Sequence, residues 1–392
     1  MAFFFLCVTI FIMFFQPAAV FPMLERYQPL RNSALIAFVA YLLSKKQGTP
    51  NFFKERVNIF FFLFILFQTA SSFVLWFWAG VETFNLWLRM GLVYYLVTKS
   101  VTSTKRLIWL VMMIITGISY LSYYSISTFI VKYMPGVRAG GFGWYEGSND
   151  IAIILVASIP LVLILVNSTK RFILKYLFLS IAAMFAFNIL FTGSRNGLLG
   201  LLVVGVLSML LSKRFSHPIR FVIIVILIVF VFTTGLTNVL YREDLQGLSG
   251  DASSENRLEQ WKAGLRMVKH NPFFGVGREE FTTYVEQYGG IKGLLPHNTL
   301  IQVFAESGIP AGICFCLFSF MPFINIRKIF KRKNEYGKES LDLYYLFVAV
   351  SLAGFWVCAF FSNRYQFYIL YVLVALAVSI QNNLINRVGN AT

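Results

Sequence analysis

The chain has 392 residues, of which 58% are hydrophobic, 18% aromatic and only 13% charged, and its mean hydropathy is +0.70. Soluble domains carry about 25% charged residues, so an ordinary water-soluble fold is excluded and the bilayer becomes the relevant solvent. A net charge of +17, from 34 Lys and Arg against 17 Asp and Glu, would suit nucleic acid, but the placement of the basic residues argues otherwise.

Roughly twelve apolar runs approach the ~20 residues needed to cross the hydrocarbon as helix. They cover residues 1 to 24, 30 to 44, 57 to 79, 81 to 98, 107 to 131, 149 to 168, 173 to 192, 196 to 212, 219 to 238, 298 to 325, 342 to 362 and 365 to 385. The expected fold is therefore an all-α polytopic membrane protein. The first run has neither a basic n-region nor a convincing small-residue cleavage site, and is taken as an anchor rather than a secretory signal.

Alternate short connections hold twenty Lys and Arg on one side, among them Lys45, Lys46, Lys105, Arg106, Lys170 and Arg171, against six on the other. By the positive-inside rule both termini are cytoplasmic, and much of the positive charge is a topological signal. Nucleic acid is not an expected partner; membrane lipid is. Cys7, Cys314, Cys316 and Cys358 all lie in apolar stretches, which suggests neither a disulfide framework nor a zinc site.

One connection on the outer side is long. Residues 239–297 divide the chain into a helical membrane region 1–238, an outer loop 239–297, and a last membrane region with cytoplasmic tail, 298–392. The loop contains eight of the seventeen acidic residues. Within it, Leu258, Trp261, Leu265 and Val268 recur at helical spacing over Asn256 to Lys269, with Ser253 and Ser254 as capping candidates and Pro272 beyond the end. A second periodic stretch holds Phe281, Tyr284, Val285 and Tyr288, joined to the first by Asn271-Pro272 and Gly275-Val276-Gly277. Together they describe a small folded helical cap.

Polar groups at a membrane are informative because each is costly to place. Arg138, Gly140, Gly141 and Gly143 precede Glu146, Ser148, Asn149 and Asp150 at the start of a run. This segment reads either as a flexible turn with a capping Asn or as backbone N–H groups offered to a ligand. Thr192-Gly193-Ser194-Arg195-Asn196-Gly197 is a polar hexapeptide between two apolar runs. Its arginine either snorkels to lipid phosphate or grips a diphosphate through its planar fork. Arg257 lies on the first turn of the cap helix, with Trp261 on the same face. A cation is not what a helix N-terminus favours, so a ligand role stands beside that of a solvated charge.

Pro296-His297-Asn298-Thr299 leads into a run containing Glu306, Gly308, Pro310 and Gly312. Of three histidines, His297 alone sits where the long loop re-enters a helix, and an imidazole near its usual pKa is a natural general base; a capping or hydrogen-bonded structural His is the alternative. Glu306 lies on another face of a regular helix, which Ser307-Gly308-Ile309-Pro310 is placed to bend. Glu82 and Arg89 share a helix face seven residues apart, either as a structural pair or as part of a cavity wall. No P-loop, HExxH or GxSxG occurs in a plausible context.

At these residues the sequence resembles the O-antigen ligase and O-antigen polymerase superfamily, bacterial multi-span transferases that act on polyprenyl-diphosphate-linked glycans. The matching pieces are Arg138 to Asn149, Thr192 to Gly197, Glu255 to Phe281 and Pro296 to Gly312; residues 1–130 match only in hydropathy. The resemblance implies a twelve-helix fold of the integral-membrane glycosyltransferase (GT-C-like) type with a periplasmic loop over an outer cavity. It makes Arg195 and Arg257, with Arg138, diphosphate-binding and places catalytic His297 near the acceptor hydroxyl. Asn149, Ser194, Trp261, Asn298, Glu306 and Arg89 are the expected supporting residues. It also implies no metal and no cofactor.

The implied activity is transfer of a polysaccharide from undecaprenyl diphosphate to lipid A-core at the periplasmic face of the inner (cytoplasmic) membrane. Polymerisation onto a second lipid-linked repeat is the nearest alternative, followed by transfer to protein Ser or Thr. A lipid-linked glycan transporter is the non-enzymatic one; it predicts internal repeats and broken helices at mid-membrane, and no obvious repeat is present.

Overall fold

A computed structural model of the chain describes residues 1–44, 51–131, 138–211, 254–336 and 341–389. Among the described residues all regular structure is helical. In chain order the elements are α1 (Ala2–Phe15), α2 (Pro17–Val20), α3 (Pro29–Leu43), α4 (Arg56–Leu75), α5 (Phe77–Ser100), α6 (Thr104–Val131), α7 (Ser148–Ser168), α8 (Phe172–Phe191), α9 (Arg195–Leu211), α10 (Ser254–His270), α11 (Phe281–Tyr284), α12 (Thr299–Tyr336), α13 (Leu341–Ala359) and α14 (Tyr368–Gly389).

Six of these are long and apolar enough to span a membrane: α4, α6, α7, α8, the Thr299–Ile326 part of α12, and α13. The chain is thus a polytopic membrane protein, helical throughout its regular structure among the described residues, but the expectation of twelve spans is met only in part. The run 1 to 24 breaks at Gln16, whose φ of 49° is left-handed, because Pro17 disfavours right-handed helix at the residue before it. The run 30 to 44 is the 15-residue α3, short of the ~20 residues a crossing requires. Helix α5 has the length but carries Glu82, Arg89 and Lys99, while α1, α9 and the Tyr368–Asn382 part of α14 are apolar but shorter. The expected run 219 to 238 lies outside the described residues.

Helix α7 is at the centre, packed against α6, α8, α9 and α13. Apolar side chains cover its whole circumference, and 78% of its spanning window is buried, against 17% for α8. That contrast makes α7 an interior helix and α8 a peripheral one, as uniform hydrophobicity predicts for an enclosed helix.

The 254–297 segment folds as the sequence periodicity indicates. Helix α10 buries Ala263 and Met267 against Val276, Phe281, Val285 and Ala305, the last contributed by α12. Docking depends on a break in α12 at Gly308, where φ is 82° and ψ is 175°. The interruption, reinforced by the missing donor of Pro310, frees carbonyls that a continuous helix would use. Val276 N–H donates to Ala305 O at 2.9 Å and Gly277 N–H to Glu306 O at 2.8 Å, while Ile309 N–H donates to Pro272 O at 2.7 Å. The backbones approach so closely that a Cβ on Gly275, itself at φ 66°, would run into the Ala305–Ser307 backbone. From α4, Ser71 Oγ adds a 3.1 Å bond to Glu306 O.

Gly275→Ala therefore meets both a steric clash and a left-handed backbone. It is expected to lower stability by ~1–3 kcal/mol and to expose the α10 segment to protease, measured by thermal unfolding and limited proteolysis in detergent. An unaltered melting point and cleavage pattern would mean that the contact does not hold the cap.

Candidate functional site

Three of the sequence-predicted residues occupy helix starts. Arg195 is the first residue of α9, Arg257 lies in the first turn of α10, and His297 immediately precedes the α12 cap. Each start has a local cause. The left-handed turn at Gly193, φ 55°, ends α8 and redirects the chain, and Ser194 then caps α9, its Oγ accepting from Gly197 N–H at 3.2 Å. Asn298 caps α12, its Oδ1 accepting from the N–H groups of Leu300 and Ile301, both at 3.0 Å. His297 has φ 48°, an uncommon conformation for a residue with a Cβ, tolerated where surrounding contacts fix it.

The first two polar clusters meet. Arg138 donates from Nε to Thr192 O at 2.7 Å and from a terminal nitrogen to Asn149 Oδ1 at 3.2 Å. Ser194 Oγ donates to the same Asn149 oxygen at 2.7 Å. Arg138, Asn149 and Ser194 thus form one hydrogen-bonded group between the start of α7 and the start of α9. Arg138 is engaged with the protein itself, which gives it a holding role beyond the diphosphate contact expected of it. In the same segment, burial first, then Tyr368 and Asp150, push the Tyr145 hydroxyl well above its ordinary pKa. The phenol stays neutral there.

The third and fourth clusters also meet. Trp261 Nε1 donates to Pro296 O at 2.7 Å, tying the cap helix one turn beyond Arg257 to the residue before His297. Arg257 Nε is buried and has no hydrogen-bond partner among the described residues. Arg195, by contrast, is exposed.

Both groups are joined by the connection between α13 and α14, which the sequence reading did not single out. Phe360 packs edge-on against Trp261, with ring centroids 5.9 Å apart. Phe361 O accepts from Asn196 Nδ2 at 3.1 Å, and Ser362 O accepts from Thr299 Oγ1 at 2.7 Å. Asn363 Oδ1 accepts from Asn298 N–H at 3.2 Å. Arg364 forms an ion pair with Asp150 and lies over the Phe367 ring. The signal was available: Ser362-Asn363-Arg364-Tyr365 is a polar insert between apolar runs, of the same kind as the 192–197 hexapeptide.

Glu306, expected as a supporting residue, is fully buried, its carboxylate accepting from Gln302 Nε2 at 2.9 Å and from Tyr365 OH at 2.7 Å. It anchors the same connection from below. Arg89 does not join these groups. With Glu82 it lines a cavity of about 1000 Å³; Glu82 and Arg89 do not form an ion pair with each other. The cavity wall includes Gly143, Trp144 and Gln366, but not Arg138, Arg195, Arg257 or His297. Among the described residues no group of three His, Cys, Asp or Glu side chains is arranged to hold a metal ion.

The arrangement places cations at the starts of α9 and α10, where backbone N–H groups and the helix dipole already favour an anion. Residues 180–316 match the family model described as O-antigen ligase. The match supports the O-antigen ligase superfamily and spans Arg195, Arg257, His297 and Glu306; it begins after Arg138 and Asn149 and ends before the 360–364 connection. The superfamily consists of ligase and glycosyltransferase-like enzymes acting on lipid-linked glycans. No curated protein matches the chain.

The Asp150–Arg364 pair is the ionic contact between the start of α7 and the 360–364 connection. Arg364→Ala leaves a largely buried carboxylate uncompensated and is expected to cost ~1–3 kcal/mol, below the loss for a fully buried pair because Arg364 is partly exposed. A double-mutant cycle with Asp150→Asn, followed by thermal unfolding, measures this. Strictly additive losses would show that the pair carries no coupling.

Proposed function

We propose that this protein transfers a polysaccharide from undecaprenyl diphosphate to the sugar of lipid A-core, by a metal-independent inverting reaction. The full arrangement is a twelve-helix, GT-C-like membrane glycosyltransferase in the bacterial inner membrane. Its termini are cytoplasmic, and the 239–297 loop is a periplasmic cap. Arg195 and Arg257 bind the diphosphate. The acceptor hydroxyl oxygen attacks the anomeric carbon from the side opposite the leaving group, His297 takes its proton, and the sugar–phosphate C–O bond breaks with its electron pair left on the diphosphate. That leaving group is already anionic, so guanidinium groups and helix N-termini can stabilise it without a divalent cation.

The observation that carries the reading is Arg257 itself. A guanidinium Nε–H buried without a partner among the described residues is costly unless something accepts from it. A diphosphate oxygen is the acceptor the family match makes relevant. Further support is that the immediate neighbours of all three residues are held together, Asn196 and Asn298 by the 360–364 connection and Trp261 by Pro296 and Phe360. Arg138, Asn149 and Ser194 are proposed to position the start of α9, and Glu306 to hold the α12 break.

His297→Ala is expected to lower kcat for transfer by ~10²–10⁴-fold, with donor binding and melting temperature little changed; wild-type turnover would remove its role. Arg257→Lys keeps the charge but loses the planar fork. It is expected to weaken donor binding in nanodiscs by ~10-fold, the value of one charge-assisted hydrogen bond. Full activity in that variant would reduce Arg257 to a point charge.

A further inference from the structure

The 1000 Å³ cavity lies among α1, the start of α3 and α5, and of the residues that line it only Arg278 and Glu279 fall within the family match. Its chemistry differs from that of the arginine-bearing helix starts. Arg31, Arg89 and Arg278 face it, and so do Glu25, Glu82 and Glu279. Three cations against three anions leave no net charge to attract a diphosphate. Only one of these cations is paired with one of these anions among the described residues: Arg278 pairs with Glu279, whereas Arg89 donates to Asn85 O at 3.1 Å and Arg31 to Asn32 Oδ1 at 3.3 Å.

Between the charges stand the amides of Gln16, Gln28, Asn85 and Gln366. Amides both donate and accept, as the hydroxyls of an uncharged sugar require. The volume is at the top of the ~300–1,000 Å³ range of small-molecule sites, more than one monosaccharide needs. The cavity is also built at local cost. Of the four non-glycine residues with positive φ among the described residues, Gln16, Gln28 and Glu279 line it, and such conformations concentrate where a site is shaped for a ligand. Leu35 and Leu88 line it too and are exposed, giving the cavity an apolar, outward-facing side on which a lipid chain can rest.

Trp144 and Gln366 connect this cavity to the segments that carry Arg138 and Arg364, and Trp144 stacks on Tyr368 with ring centroids 4.7 Å apart. We infer that the cavity is the acceptor compartment, binding the uncharged saccharide of an amphiphile whose lipid chain lies along Leu35 and Leu88. The assignment to acceptor rather than donor rests on the proposed diphosphate role of Arg195 and Arg257; saccharide recognition rests on the cavity alone.

The test uses the full chain in phospholipid nanodiscs and an alkyl maltotrioside carrying a photoreactive diazirine on the alkyl chain. Labelling is expected to map to residues 16–35 and 82–92 and to be suppressed by excess maltotriose but not by inorganic diphosphate. Glu82→Gln combined with Asn85→Ala should weaken it roughly ten-fold, as loss of a charge-assisted hydrogen bond would. The same variant should raise KM for lipid A-core by a similar factor without changing KM for the donor. Labelling elsewhere, competition by diphosphate or by added phosphatidylethanolamine, or a labelling yield and acceptor KM unaffected in a variant with wild-type melting temperature would overturn the inference. A shift in donor KM alone would overturn its assignment to the acceptor. Labelling as expected in a wild-type protein that forms no glycosidic bond would uphold the saccharide site and reject the proposed transfer.

Discussion

The connection between α13 and α14 is the constraint on which the site's geometry depends. Over Phe360 to Arg364 it presents two backbone carbonyls, one amide, one guanidinium and one ring, which together engage four elements. The starts of α7, α9 and α12 and one face of α10 are thereby fixed to a common support. None of these contacts uses the proposed reacting groups, so Arg195 and His297 are positioned through their neighbours Asn196 and Asn298. A site on helix starts held this way is more rigid than one on free loops, as a preorganised electrostatic site requires.

A second constraint sets the position of the cap. Breaking α12 at Gly308 would be expensive for an isolated helix, since carbonyls and an N–H group lose their partners. Here the 272–277 turn supplies the missing partners, so the break and the cap satisfy each other. Beneath it, the buried Glu306 carboxylate is held by Gln302 and Tyr365, and Tyr365 adjoins Arg364. Cap, broken helix and 360–364 connection are therefore one mechanical unit.

Much of this was legible in the sequence because bilayer-scale apolar runs and 3.6-residue periodicity are strong local signals. The α10 helix, its joining glycines and the bend near Gly308 all follow from residue order. The meeting of Arg138, Asn149 and Ser194 did not, because it depends on tertiary packing of α7 against α8 and α9. Two features escaped notice for physical reasons. The 360–364 connection is short and was not singled out, although its polar insert matches the kind of signal used at 192–197. The cavity draws its walls from α1, α3 and α5, where Glu82 and Arg89 were visible but the left-handed turns at Gln16 and Gln28 that shape it were not. Of the twelve expected spans, six are long and apolar enough among the described residues; hydropathy did not show that Pro17 ends α1 early.

The account turns on whether these arginines and the imidazole serve a single bond-forming event. Reconstituting the purified protein with undecaprenyl-diphosphate-linked glycan and lipid A-core in the presence of chelator, and following product mass and anomeric configuration, addresses this most directly. The account predicts one new glycosidic bond to lipid A-core, with the anomeric configuration of the donor linkage inverted and the yield indifferent to chelator. Movement of intact lipid-linked glycan across the bilayer with no new bond, or a product that retains the donor configuration, would contradict it.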